Sequence, residues 1–229
     1  MTSEGCGAII VAAGRSERMS GEDKLWAQLV AADGRGRPLL AYAIEEFQAS
    51  GAVSHIVLVL APDSVERGRQ LVREYGFDKV SPVVPGGARR RDSVRAGLDA
   101  LDSCTWIAVH DGARPLVAQA LIERGLEAAR ETGAACCAIR SPDTIKEANG
   151  GFIARTIDRS RLWLAQTPQV FRYDLLAEAH AKSPDDATDD ASMVEALGAK
   201  GKLFEGTPRN IKVTTPEDLA TVQTLLLRP

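Results

Sequence analysis

The sequence contains no apolar run approaching the about 20 residues that a membrane span needs. It does not open with a basic stretch, an apolar stretch and a cleavage site, so no signal peptide is expected. Cysteine is scarce: Cys6, Cys104, Cys136 and Cys137 form no C-x-x-C pair. Cys136 and Cys137 are adjacent inside an apolar run, which points to strand packing rather than a metal site. The set reads as reduced core thiols of a cytoplasmic protein. His55, His110 and His180 are scattered without ligand spacing. No charge of one sign dominates: the net charge is −3, so no global basic field suggests a nucleic-acid binder. Any anion site must be a local cluster. There is no internal repeat, linker or low-complexity segment. With 229 residues, 45% hydrophobic and 26% charged, the chain suits one sizeable α/β core spanning 1–229. At that length no second catalytic domain is expected.

Two common phosphate loops are also missing. A Walker loop needs G-x-x-x-x-G-K-S/T, and Lys24 is followed by Leu25. A dinucleotide fingerprint needs G-x-G-x-x-G, and Gly14 is followed by Arg15 and Ser16. What is present from Gly7 to Lys24 is a short apolar run, Ala8 to Ala13, suited to a buried parallel strand. It breaks at Gly14 into a small, basic turn carrying Arg18, with Lys24 just beyond. Free backbone N–H groups and cations after a strand hold phosphates. By itself the stretch reads equally as a basic surface turn.

The rest of the chain alternates strand and helix. Helices are expected at Leu39 to Ser50, Ser64 to Tyr75, Arg91 to Leu101, Leu116 to Thr132, Asp174 to Lys182, Asp189 to Leu197 and Pro216 to Leu227, the last N-capped by Thr215. Strands are expected at Ser54 to Ala61, Lys79 to Val84, Trp106 to Val109, Ala134 to Ile139, Thr167 to Phe171, Lys202 to Glu205 and Ile211 to Val213. Right-handed crossovers turn this order into a Rossmann-like, mainly parallel twisted sheet with helices on both faces. The alternation stops near Ser141. There an N-G-G turn suggests a hairpin, a projecting β-arm of about 141–160 that either reaches a partner subunit or is a surface insertion.

Most of the chemistry-bearing clusters fall just after predicted strands, where open parallel sheets bind ligands. Gly86-Gly87 precedes Arg89, Arg90, Arg91 and Ser93. Two glycines allow close approach to a base or phosphate. Three cations at a helix N-terminus oppose its dipole and call for an anion, although a solvated basic helix start reads similarly. In V-H-D-G-A-R-P, Asp111 is placed as a metal ligand beside Arg114 as a phosphate clamp, or the two form a structural pair across a turn. His110 reads as structural. D-R-S-R-L-W with Q-T-P-Q brings Arg159 and Thr167, and N-I-K-V-T brings Lys212. Asp185, Asp186, Asp189 and Asp190 read as a solvated loop with helix-capping carboxylates.

Together A-A-G-x-x-x-R-M with its later Lys, G-G-x-x-R-x-D-S-V, V-H-D-G-A-R-P, D-R-x-x-L-W-x-x-x-T-P-Q and N-I-K-V-T-x-P-E-D closely resemble the 2-C-methyl-D-erythritol 4-phosphate cytidylyltransferases of the non-mevalonate isoprenoid pathway. The motifs stand in the family's order over nearly the whole chain. The resemblance implies a fold of the nucleotide-diphospho-sugar transferase type. It also implies transfer of CMP from CTP to the polyol phosphate, with Mg²⁺ and release of pyrophosphate. Ala12, Ala13 and Gly14 would wrap the nucleotide, and Arg18 and Lys24 would neutralise the triphosphate and the pentacoordinate α-phosphorus. Gly87 and Ser93 would contact the cytosine and ribose, with Arg90 nearby. Asp111 would hold Mg²⁺. Arg114, Thr144, Arg159, Thr167, Thr188 and Lys212 would surround the acceptor, and the arm would make a homodimer. Two departures stand out: Asp23-Lys24-Leu25-Trp26 replaces the family's Pro-Lys-Gln-Tyr, and Ser16 replaces a phosphate-loop glycine.

Three other readings compete. They are a cytidylyltransferase for another polyol phosphate such as ribitol 5-phosphate, a nucleotide-sugar glycosyltransferase, and a catalytically silent nucleotide-binding subunit. The Arg18–Lys24 pair and the absence of a D-x-D motif speak against the second. Retention of Arg18, Lys24, Asp111 and Lys212 together speaks against the third.

Overall fold

A computed structural model describes residues 3–14, 23–101, 104–182 and 187–228. Strand β1 (Ser3–Ala12) lies in the interior of the sheet, with Ile9 and Ile10 wholly buried. The chain then makes a 3-10 turn at Lys24–Trp26 and a small hairpin, β2 (Gln28–Val30) with β3 (Gly36–Pro38), neither of which the sequence pattern signals. Helix α1 (Leu39–Ala49), strand β4 (Val53–Leu60), helix α2 (Val65–Tyr75) and strand β5 (Val80–Pro85) follow. Gly76 stops α2 with φ 65°, a left-handed conformation that glycine tolerates. Next come α3 (Arg90–Asp99), β6 (Cys104–Asp111), α4 (Gln119–Thr132) and β7 (Ala134–Arg140).

The hairpin arm is β8 (Ile145–Asn149) with β9 (Phe152–Ile157). Its turn residues Gly150 and Gly151 have φ 56° and 84°, the two positive values that a tight hairpin turn demands. Strand β10 (Trp163–Arg172), helices α5 (Tyr173–Lys182) and α6 (Asp190–Ala196), strand β11 (Lys202–Glu205) and helix α7 (Pro216–Leu226) complete the chain. Thr215 caps α7: its side chain accepts from the Asp218 N–H, while the Asp218 carboxylate accepts from the Thr215 N–H.

The main sheet has seven strands in the order β11-β7-β10-β6-β1-β4-β5. Among its described strands, only β10 runs antiparallel to its neighbours, β6 and β7. Continuous apolar strands fit a sheet covered on both faces. One face packs Ile10, Leu58 and Ala135 against α1, α2, α4 and α7; the other packs Ile9, Val57 and Cys136 against α3, α5 and α6. Cys136 and Cys137 thus point to opposite faces.

Three expectations need correction. Ile211–Val213 forms no strand, because its backbone pairs with a turn: Val213 N donates to Ala113 O at 2.8 Å. Helix α4 begins at Gln119 rather than Leu116, where Gln119 N finds the Glu46 carboxylate. Strand β10 starts well before Thr167, because Trp163 to Ala165 pair with β7 on the return from the arm.

Candidate active site

The carboxyl ends of β1, β5 and β6 meet at one edge of the sheet. At the end of β1, Ala12 is buried, Ala13 half-buried and Gly14 exposed. The loop after β5 closes directly on them. A Cβ on Gly86 would lie 2.5 Å from Ala13 Cβ and 2.6 Å from Ser93 Oγ, and one on Gly87 would lie 2.4 Å from Asp92 Cβ. Only glycine permits that approach. Gly87 N donates to Ser93 Oγ at 3.2 Å, which ties the loop to the start of α3. The loop thus joins Ala13, at the end of β1, to Gly87 and Ser93, with Ala12 and Gly14 flanking Ala13 in the chain. Arg18 lies outside the described residues. Lys24 opens the 3-10 turn, half-buried, with Asp23 capping that turn by accepting from Leu25 N at 3.2 Å. Trp26 is buried with the Arg67 guanidinium 4.2 Å from its ring centroid, which fixes the turn from below.

Asp111 ends β6 at the floor of a pocket of about 240 Å³ lined by Arg90, Arg114, Thr167, Thr188 and Lys212, among others. Three cations converge on its carboxylate. Arg90 Nε donates to Oδ1 at 3.1 Å, and Lys212 Nζ stands 2.8 Å and Arg114 Nε 3.9 Å from Oδ2. Burial alone would raise the Asp111 pKa. Arg90, then Lys212 and Arg114, outweigh it and hold the carboxyl well below the usual range. Burial works against the charge of Arg90 too, but Asp190 and Asp111 reverse this and raise its pKa. The anion that three N-terminal arginines called for is supplied largely by the protein. Arg89 pairs with Asp92, and Arg90 bridges Asp111 and Asp190.

A hydrogen-bond chain fixes the walls. His110 Nε2 donates to Arg114 O at 3.1 Å, so its Nδ1 accepts from the Thr167 hydroxyl at 3.0 Å, and Thr167 Oγ1 in turn accepts from Asp111 N at 3.0 Å. Burial pushes the His110 pKa down to about 4 despite Asp111 and the Arg114 carbonyl, so the ring is neutral and structural, as expected. Asn210 is wholly buried. Its side-chain amide donates to Thr167 O at 2.8 Å, and its backbone carbonyl accepts from Arg114 Nη1 at 2.7 Å. Arg114 Nε and Asn210 Oδ1 are buried without a hydrogen-bond partner among the described residues. An unsatisfied guanidinium N–H beside a pocket is a ready donor to an anion.

The structure gathers Asp111, Arg114, Thr167, Thr188 and Lys212, and Arg90 lines the same pocket. Thr144 and Arg159 do not line that pocket. They are exposed at the two ends of the arm, with Arg159 Nη1 donating to Pro142 O at 2.5 Å. Asp189 caps α6 as expected, but Asp190 is wholly buried rather than solvated. Asp185 and Asp186 lie outside the described residues. Sequence reasoning missed Asn210, Gln166, Asp190 and His180. Asn210 and Gln166 lie within the N-I-K-V-T and Q-T-P-Q motifs, and that membership was the available signal.

Asp111 fits a magnesium ion carried mainly by nucleotide phosphates, since such ions take one or two carboxylates and substrate oxygens. It does not fit a closed protein cage, because no group of three or more His, Cys, Asp or Glu among the described residues could hold a metal.

A mainly parallel sheet whose strand ends carry a close-packed glycine loop, and beside it a cation-ringed pocket, defines a nucleotide-dependent group transferase of the nucleotidyltransferase class. Residues 6–228 match the sequence profile of the 2-C-methyl-D-erythritol 4-phosphate cytidylyltransferases (IspD). The protein of that name from Dehalococcoides mccartyi strain CBDB1 is 47% identical over 98% of this chain and 97% of its own length. The one from Geobacillus kaustophilus is 43% identical over 96% of each. Among solved structures, 4-diphosphocytidyl-2C-methyl-D-erythritol synthase from Anaerococcus prevotii superposes with a TM-score of 0.84 at 28% identity, over 98% of this chain and 97% of that one. The cytidylyltransferase from Thermus thermophilus gives 0.76 at 32% identity, over 95% and 96%. The chain belongs to the 2-C-methyl-D-erythritol 4-phosphate cytidylyltransferase family, and it is a nucleotidyltransferase.

Proposed function

We propose that this enzyme transfers CMP from CTP to 2-C-methyl-D-erythritol 4-phosphate, giving 4-diphosphocytidyl-2-C-methyl-D-erythritol and pyrophosphate. The observation that carries the reading is the Asp111 carboxylate ringed by Arg90, Arg114 and Lys212, with the unpartnered Arg114 Nε beside it. That pocket offers a phosphorylated polyol both cations and a hydroxyl acceptor. The adjoining surface of Ala12, Ala13, Gly14, Gly87 and Ser93 offers a nucleotide close backbone contact.

A phosphate oxygen of the acceptor attacks the α-phosphorus of CTP in line. The new P–O bond forms as the bond to pyrophosphate breaks. A phosphate monoester is largely ionised near neutral pH, so no general base is required. His110, neutral and engaged at both ring nitrogens, is not one. The obstacle is bringing two anions together, and the chain's part is positioning and charge neutralisation. Arg18 and Lys24 act on the α-phosphate and the departing pyrophosphate. Arg114, Thr167, Thr188 and Lys212 orient the acceptor. Mg²⁺, when held by Asp111 and the nucleotide, supplies further positive charge to the phosphates.

The arm supports a homodimer. Phe152 and Ile153 at its tip are 81% and 69% exposed, and Thr144 and Arg159 stand outside their own chain's pocket. A second subunit would cover the first pair and receive the second. A cytoplasmic location is supported by four free, buried cysteines.

The deciding experiment is pyrophosphate release with Mg²⁺, comparing CTP with UTP and methylerythritol phosphate with ribitol 5-phosphate. Release only with CTP and the first acceptor is expected. Preference for ribitol phosphate, or no release at all, would overturn the assignment.

A further inference from the structure

Asp190 begins α6 with no exposure to solvent. A buried carboxylate persists only when paired. Here Arg90 Nη1 donates to Oδ2 at 2.6 Å and His180 Nε2 stands 3.0 Å from Oδ1. An ionised carboxylate only accepts, so His180 Nε2 carries a proton. Burial would raise the Asp190 pKa, but Arg90, then His180, outweigh it and hold the group ionised. The other edge of the same guanidinium reaches the pocket, where Arg90 Nε donates to Asp111 Oδ1 at 3.1 Å. Arg90 is thus strung between a carboxylate behind the site and one on its floor. Four elements meet there: α3 through Arg90, β6 through Asp111, α5 through His180 and α6 through Asp190. Arg91 Nη2 donates to His180 O at 3.3 Å, holding α5 against the start of α3. A planar guanidinium anchored along one edge has its remaining orientation fixed.

We propose that Asp190 and His180 are positioning residues that aim Arg90 into the Asp111 pocket, where its guanidinium meets the phosphate of the acceptor. This rests on the reading that the pocket takes the polyol phosphate, and it moves Arg90 from the nucleotide side to the acceptor side. His180 matters through one N–H aimed at Asp190, and Asp190 matters through its charge.

The test uses the full chain with CTP, Mg²⁺ and the acceptor phosphate, and three variants. Asp190→Asn keeps shape and removes charge; it raises the acceptor KM about tenfold or more and lowers kcat, while calorimetric CTP affinity stays within about twofold. His180→Gln, which retains a donor, raises the acceptor KM less than about threefold. His180→Phe, which fills the volume without a donor, behaves like Asp190→Asn. Three results would each overturn the proposal: Asp190→Asn with an unchanged acceptor KM, parallel loss of CTP and acceptor affinity, or His180→Phe matching His180→Gln. Should Asp190→Asn not fold, the two His180 variants decide. A crystal structure of a folded variant separates this idea from the assignment of the reaction. Arg90 still bonded to Asp111 in Asp190→Asn or His180→Phe refutes the positioning role, whereas a parent protein that releases no pyrophosphate refutes the assignment instead.

Discussion

Lys24 stands at the start of a three-residue turn that Asp23 caps and Trp26 anchors. The Asp23 carboxylate accepts from Leu25 N and so caps the turn. Lys24→Ala is expected to lower kcat by about 10²–10³-fold, the scale for one preorganised electrostatic contact, with the thermal midpoint little changed. Stopped-time pyrophosphate assays check it. His110 sets a pH dependence of stability. Folded, its pKa is about 4; unfolded, it returns to about 6.5. Between these values the unfolded chain binds a proton that the folded chain refuses. Its contribution, roughly 3 kcal/mol, is present above pH 6.5 and is lost as pH falls toward 4. Asp111 acts in the same direction only at lower pH, because its unfolded pKa is that of an ordinary carboxyl. Urea unfolding at several pH values should show this slope, and His110→Gln should flatten it. Asp111, Arg114 and Lys212, which the structure gathers in one pocket, were legible as candidates because each sits in a motif with a chemical reason. Asp190 and His180 were not, because burial is what makes them consequential and the sequence places them in an acidic loop and an ordinary helix.

At the scale of elements, the strand ends and the loops after them carry the site, and two local devices hold them in place. The glycine loop between β5 and α3 leaves no space for a side chain. Gly86→Ala should destabilise the protein by about 1–3 kcal/mol and raise the CTP KM more than the acceptor KM. Equal effects on both substrates would remove this loop from the nucleotide surface. The reciprocal cap of Thr215 and Asp218 starts α7 next to the Lys212 segment. Thr215→Ala should cost about 1 kcal/mol in chemical denaturation. Helices and central strands were readable from periodicity to within a few residues. Ile211–Val213 misled because alternating apolar residues also occur in a segment pinned to a turn, as Val213 is to Ala113. The start of β10 was obscured because Trp163 to Ala165 pair with β7 across the intervening arm.

For the whole molecule, the arm carries Thr144 and Arg159 away from the pocket of their own chain and presents Phe152 and Ile153 to solvent. Changing both Phe152 and Ile153 to Asp should convert a dimer to monomers in sedimentation. It should also raise the acceptor KM, and Arg159→Ala alone should do so without changing the sedimentation. Monomer in the parent protein would refute the arm's role. The sequence by itself determined the reaction class, the alternating α/β architecture and most of the residues that line the candidate site, because motif spacing and apolar periodicity are local properties of a chain. Only the tertiary structure decided that Arg90 lines the Asp111 pocket, that Asp111 is ringed by cations from three separate segments, and that Asp190 and His180 stand behind them. Those relations depend on which distant segments the sheet order brings together, and on which charges it removes from water.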